Sequence, residues 1–212
     1  MSKAEVHQRV VDSGVIAILR GIPSESATDV VRAIAAGGID TIEITVDTPG
    51  AVEMIRRVSD EVDDVVVGAG TVLDAETARA VQLAGAEFIV TPTVDTGVIE
   101  MANRYGTPVA TGVMTPTEAQ TATEAGADFC KLFPASTVGP GHVGAINGPL
   151  SQVPLVPTGG VTLDNAAAFF EAGAVALGVG SAIVDADAID AGEFDALTET
   201  ASEFARLAEA HR

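Results

Sequence analysis

The 212-residue chain is poor in positive charge: Lys and Arg together number 11 against 30 Asp and Glu, a formal net charge of −19. That shortage excludes a nucleic-acid-binding domain, which needs a basic footprint to displace counterions from phosphates, and it disfavours an anionic lipid surface for the same reason. No run approaches the roughly 20 uncharged apolar residues of a membrane span. The opening MSKAEVHQRVVDSG mixes charges and lacks the apolar stretch of a signal peptide, so a cytoplasmic location is expected. Cys130 has no second cysteine to pair with, in keeping with a reducing compartment. Lysine is the scarcer cation: nine basic residues are Arg, and only Lys3 and Lys131 are Lys. Such poverty with acidic excess is expected of a protein working in concentrated salt, where a Debye length of about 3 Å screens like charges from one another. A halophilic, archaeal source fits this composition, with an acidic mesophilic enzyme as the ordinary alternative.

What is present is enough to fold. Hydrophobic residues make up 47% of the chain and charged ones 19%, too apolar for disorder. Short runs rich in Val, Ile and Phe recur at 15–20, 41–46, 65–71, 88–92, 108–113, 129–135, 155–160 and 174–181. Each is too short for a buried helix and reads as a strand. Ala-rich segments with apolar residues at helical spacing lie between them, such as 24–36 and 74–84. Thr115-Pro116-Thr117-Glu118 supplies an N-cap hydroxyl, a proline at the first helical position and a capping-box glutamate. Ala36-Gly37-Gly38, Ala84-Gly85-Ala86, Ala125-Gly126-Ala127 and Ala172-Gly173-Ala174 repeat as helix-ending turns just before alternate strands. Eight strand-helix units without a linker predict one α/β domain, a (βα)8 TIM barrel spanning 1–212, with a doubly wound open sheet as the alternative.

In a barrel, functional side chains sit near the C-terminal ends of the strands. Glu43 interrupts the apolar run Thr41-Ile42-Glu43-Ile44-Thr45, and Lys131 interrupts Phe129-Cys130-Lys131-Leu132-Phe133. A buried charge needs a partner or a purpose, and the two could be each other's partner across the lumen, since the second and sixth strands oppose one another. A purely structural ion pair is one reading of Lys131, and orientation of a backbone turn is one reading of Glu43. Composition favours chemistry: of two lysines, one lies in an N-terminus expected to fray and the other where a cation is hardest to accommodate. A lysine of reference pKa about 10.4 is only about 0.04% neutral at pH 7, and bringing it near 7 takes about 4.6 kcal/mol. Burial inside a barrel is one source of that energy, which makes a lysine there a candidate Schiff-base nucleophile and a nearby glutamate its acid/base.

Two loops after the last strands, Thr158-Gly159-Gly160-Val161-Thr162 and Gly178-Val179-Gly180-Ser181, present backbone amides where barrels often hold phosphate; plain turn chemistry is the alternative. His7, His142 and His211 do not fall at metal-ligand spacings, so metal catalysis is not expected. Gly68-Ala69-Gly70 lacks the rest of a dinucleotide fingerprint and reads as close backbone packing at a strand end.

Assembled, these residues resemble the 2-keto-3-deoxy-6-phosphogluconate (KDPG) aldolase family of class I aldolases. The resemblance runs from Ile16-Ala17-Ile18-Leu19-Arg20 to Gly178-Val179-Gly180-Ser181, through Ile42-Glu43-Ile44-Thr45, Gly68-Ala69-Gly70-Thr71-Val72, Lys131-Leu132-Phe133-Pro134 and Pro157-Thr158-Gly159-Gly160-Val161, in the family's order. It implies a cytoplasmic homotrimer acting on a phosphorylated keto acid and pyruvate without a cofactor, with Lys131 as the Schiff-base lysine and Glu43 as acid/base. It also implies substrate contacts from Thr71, Pro92 and Phe133, a stereochemical role for Thr158, and a phosphate site at Gly159, Gly160, Gly180 and Ser181. Several family members carry an arginine four residues after the glutamate to bind the substrate carboxylate; here that position is Asp47. Arg20 is expected to take over the contact, the alternative being an Arg20 ion-paired with Asp47. The gluconate-derived substrate, its C4 epimer derived from galactonate, or both remain open, as do two readings without Schiff-base chemistry, a sugar-phosphate isomerase and a non-catalytic sensor.

Overall fold

The computed structural model describes residues 1–211. Eight strands form the centre: β1 (Val15–Leu19), β2 (Thr41–Thr45), β3 (Val66–Gly70), β4 (Phe88–Val90), β5 (Val109–Val113), β6 (Phe129–Leu132), β7 (Leu155–Pro157) and β8 (Leu177–Val179). They pair in the order β7-β6-β5-β4-β3-β2-β1-β8, all in parallel. The first strand therefore lies beside the last, which an open doubly wound sheet does not allow. A single parallel bridge between Thr158 and Gly178 closes β7 against β8, and the Val175 N–H donates to the Leu155 carbonyl at 3.0 Å. The chain is a (βα)8 barrel.

The strands' two faces have different tasks. Outward residues such as Ile42, Ile44, Ala69, Ile89 and Leu132 join the main core beneath the helices. The intervening positions point into the lumen, as alternation requires. The wrapping helices are α2 (Ala27–Ala36), α3 (Ala51–Glu61), α4 (Ala75–Leu83), α5 (Thr96–Arg104), α6 (Pro116–Glu124), α7 (Pro140–Asn147), α8 (Leu163–Glu171) and α10 (Phe194–His211), with short α9 (Ala186–Ala191) before the last. Phe169 of α8 and Phe204 of α10 are fully buried, each contributing roughly 1.5–3 kcal/mol by leaving water. Among the described residues no helix is long and apolar enough to cross a membrane.

The helix-to-strand joint is built alike four times. Gly38, Gly85, Gly126 and Gly173 have φ of 96, 112, 99 and 98°, which only glycine adopts freely. The residue after each glycine donates back to a carbonyl five residues earlier: Ile39 to Ile34, Ala86 to Val81, Ala127 to Ala122 and Ala174 to Phe169.

Three expectations need correction. The N-terminus is not frayed: α1 (Lys3–Ser13) is capped by Ser2 and Glu5, and its Val6 and Val10 join Ile16, Val66, Phe88 and Phe129 in a second apolar cluster that fills the N-terminal end of the barrel. Lys3 is tied down there, its Nζ 2.9 Å from Asp128 and 2.6 Å from the Asn103 side-chain oxygen. The expected helices 24–36 and 74–84 are slightly long: residues Ser24–Ser26 form a 3-10 turn, and Asp74 is the N-cap of α4, accepting from the Thr77 N–H at 2.6 Å. Strands expected to reach 135, 160 and 181 end at Leu132, Pro157 and Val179. Ladder pairing stops at the barrel mouth while the apolar composition runs on, because the loops beyond line a cavity.

Candidate active site

Lys131 lies in β6 and Glu43 in β2, both in inward phase and on opposite walls of the lumen. Lys131 is 5% exposed and Glu43 2%, and the Lys131 Nζ stands 3.7 Å from the Glu43 Oε1. That separation allows charge attraction but is too long for a hydrogen bond. Oε1 is buried without any hydrogen-bond partner, so Glu43 does not orient a backbone turn. A lysine amine and an uncommitted carboxylate oxygen, both largely buried, stand close enough for a group bound at the lysine to exchange protons with the carboxylate.

Above the pair opens a cavity of about 390 Å³, lined among others by Arg20, Lys131, Phe133, Thr158, Gly159, Gly160, Gly180 and Ser181. Its charged lining residues are both cations, Arg20 and Lys131, on a chain of net charge −19. An anionic ligand entering the cavity would meet these two cationic side chains where the chemistry is. The glycine loops are braced from behind. The Asn165 side chain donates to the Gly160 carbonyl at 2.9 Å and accepts from the Thr162 N–H at 2.9 Å, while the Ser136 N–H donates to the Gly159 carbonyl at 2.9 Å. With the carbonyls taken, no hydrogen bond is found among the described residues for the N–H groups of Gly159, Gly160 and Ser181. The Asp185 side chain caps α9 by accepting from the Asp187 and Ala188 N–H groups, so that short helix offers less to an anion than the two loops do.

The structure brings eight of the eleven residues singled out in the sequence around this cavity; Glu43, Thr71 and Pro92 do not line it. Glu43 faces Lys131 from the opposite wall, 3.7 Å away. Thr71 directly follows β3 with φ of +60°, an outlying conformation for a β-branched residue, and its Oγ1 accepts from the Arg20 Nη2 at 2.8 Å. Pro92 follows β4, and its carbonyl occupies the place of a β-carbon on Gly112, the register partner of Lys131. Phe133 is 40% exposed at the mouth, its ring centroid 5.4 Å from the Lys131 Nζ. Arg20 does pair with Asp47, through its Nη1, yet it lines the cavity as well, and with a side chain 54% exposed that pair holds it only weakly. Cys130 points outward to the Ala119 carbonyl, and burial raises its thiol pKa, so it is inert.

Sequence reasoning read Gly68 as close packing at a strand end and Gly178 as part of a phosphate loop, without naming the side chains they admit. A β-carbon on Gly178 would lie 2.9 Å from the Thr158 Cγ2 and closer to its hydroxyl; one on Gly68 would enter the Phe88 ring. Glycine in the inward phase of a strand is the signal that could have found them. Ile18, Val161, Val184 and Ala186, which complete the apolar lining, carry no such mark in the sequence.

Fold and site together define a (βα)8 barrel whose candidate active site is built around a buried lysine facing a carboxylate. The aldolase family model described as KDPG and KHG aldolase matches residues 6–200. A 2-dehydro-3-deoxy-6-phosphogalactonate aldolase from Escherichia coli (strain K12) is 38% identical over 199 residues, 93% of this chain and 94% of that protein. A 2-dehydro-3-deoxy-phosphogluconate aldolase from Treponema pallidum (strain Nichols) is 38% identical over 175 residues, 82% of this chain and 83% of that one. The crystal structure of KDPG aldolase from Legionella pneumophila, with pyruvate captured as a covalent carbinolamine, superposes with a TM-score of 0.87 at 28% identity, covering 92% of this chain and 96% of that one. The chain belongs to the KDPG and KHG aldolase family.

Proposed function

We propose that this enzyme reversibly cleaves 2-keto-3-deoxy-6-phosphogluconate to pyruvate and glyceraldehyde 3-phosphate through a Schiff base on Lys131. The observation that carries this reading is the uncommitted Glu43 oxygen 3.7 Å from a buried lysine amine on the floor of a cation-lined cavity. The Lys131 ammonium gives one proton to the Glu43 carboxylate, and the resulting neutral amine attacks the C2 carbonyl to form a carbinolamine. Glu43 delivers the proton with which its hydroxyl leaves as water, giving an iminium. The iminium draws the C3–C4 bonding electrons toward nitrogen while the C4 hydroxyl gives its proton to Glu43, and glyceraldehyde 3-phosphate departs. Protonation of the remaining enamine at C3 and hydrolysis release pyruvate and restore the lysine. The route needs no metal or organic cofactor.

Around this step Arg20 binds the substrate carboxylate in place of the arginine that Asp47 replaces, and Thr71, Pro92 and Phe133 enclose the pyruvyl end. The free amides of the Gly159-Gly160 and Gly180-Ser181 loops take the phosphate, and Thr158 reads the C4 configuration. The C4 epimer is a second substrate reading, favoured by the 38% identity to the phosphogalactonate aldolase over 93% of the chain. Assembly as a homotrimer, a cytoplasmic location and a salt-rich working medium complete the proposal. Light scattering that returned a monomer, or stability that fell as KCl was raised to molar levels, would remove the first and the last of these.

Incubation with pyruvate, borohydride reduction and peptide mapping tests the chemistry. The added mass is expected on Lys131. An unmodified Lys131 would sink the aldolase reading and return the isomerase and sensor readings, and comparing turnover of the two epimers then decides the substrate.

A further inference from the structure

We infer that Gly70 is a positioning residue for the proposed reaction: the β-carbon it lacks is the seat of the Glu43 carboxylate. The inference rests on the aldolase reading of Lys131 and Glu43. In the β2–β3 ladder Glu43 stands opposite Gly68, and Gly70 faces Thr45 two residues nearer the mouth. All these positions point into the lumen, so the Glu43 side chain leans along β3 toward the mouth and passes over Gly70. An added β-carbon on Gly70 would lie 2.7 Å from the Glu43 Cγ and closer still to its carboxylate. Real β-carbons do not approach side chains within 3.0 Å, so the carboxylate would have to move.

Among the described residues no hydrogen bond fixes the Oε1 of that carboxylate. Oε1 is buried, and the Lys131 amine at 3.7 Å attracts it without setting a direction. Its place is therefore held by shape, and the open part of the shape is Gly70. The glycine is not there for its backbone, because its φ lies outside the left-handed region, unlike Gly159 and Gly160 at 89 and 76°. An alanine can adopt this conformation, and substituting one at a compatible φ stabilises by restricting the unfolded chain. The other inward glycine of β3 is spoken for differently, since Gly68 yields its space to the Phe88 ring from β4. Thus in Gly68-Ala69-Gly70 the two glycines admit side chains from the two neighbouring strands, and Ala69 between them faces the outer core.

The test compares Gly70→Ala in two backgrounds. With Glu43 present, the added methyl group displaces the carboxylate by about an ångström or more, and a loss of about 10²-fold in kcat with KM little changed is expected, the cost typical of a misplaced catalytic group. Exchange of the pyruvate methyl protons with deuterium, followed by NMR, should fall in parallel, whereas borohydride trapping of pyruvate on Lys131 persists given long incubation. In the Glu43→Ala background the Cγ and carboxylate that the new β-carbon would meet are both gone, so the same substitution should cost less than about threefold in residual activity relative to Glu43→Ala alone. Equal losses in the two backgrounds, or a Gly70→Ala enzyme within about threefold of the parent kcat, would overturn the seat. Should Gly70→Ala fail to fold, thermal unfolding of the double variant decides: a folded double variant supports the seat, and an equally unfolded one refutes it. Absence of trapping in the parent enzyme would instead mark failure of the aldolase reading, separately from Gly70.

Discussion

Lys131 and Glu43 meet only because the barrel closes, and their coupling can be measured as a double-mutant cycle of Lys131→Met and Glu43→Gln. At 3.7 Å, two unit charges in surroundings of effective dielectric about 20 attract by about 4 kcal/mol. Each single substitution leaves an uncompensated charge buried in the lumen, a situation that costs about 3–5 kcal/mol when a buried pair is broken. The double substitution leaves none, so its cost should fall short of the sum of the two singles by at least about 2 kcal/mol, allowing for water entering from the cavity above. Urea unfolding at fixed protein and salt concentration measures all four proteins, with fixed concentrations required because subunit association and ions both shift apparent stability. Free energies that add within about 0.5 kcal/mol would show that the two groups do not interact as charges. The electrostatic half of the argument would then be wrong, whatever the enzyme's activity.

Arg20→Ala should raise the KM for the keto acid while trapping at Lys131 survives; unchanged KM and turnover would remove Arg20 from the carboxylate site. Gly178→Ala forces the Thr158 hydroxyl aside at the bridge that closes the barrel, so the ratio of kcat/KM for the two C4 epimers should change by more than about threefold, with a loss of stability of about 1–3 kcal/mol from overpacking. The Met114 backbone N–H, then the Thr115 hydroxyl and its N–H, hold the Glu118 carboxyl below its ordinary pKa. A group with a lowered pKa in the folded state stabilises above its unfolded value, near about 4.3, and that contribution is lost as pH falls through the folded value. Glu118→Gln should therefore lower Tm at pH 7, with the gap closing as pH falls below the ordinary carboxylate range through the lowered folded value; a Tm gap independent of pH would refute this.

The periodicity of the chain was enough for the barrel. Eight apolar runs of strand length, the helices between them and the four glycine joints are local signals, since a left-handed turn needs its glycine wherever it occurs. Lys131 and Glu43 were legible for a similar reason, because a charge within an apolar run stands out one strand at a time. Strand ends were not legible, because a residue such as Phe133 is equally apolar whether it pairs in a ladder or lines a cavity. The fate of Lys3 was hidden as well, since Asp128 and Asn103 come within reach only when α1 folds under the barrel.

By itself, then, the sequence determined the elements, their order and the kind of chemistry its rare lysine could perform. Distances across the lumen belong to tertiary structure: 3.7 Å between Lys131 and Glu43, the Arg20 link to both Asp47 and Thr71, and the Glu43 side chain lying over Gly70. The physical reason is that secondary structure is written in neighbours along the chain, whereas barrel closure sets residues dozens of positions apart into the same few cubic ångströms. There the decisive feature can be an atom that is missing, as the β-carbon of Gly70 is.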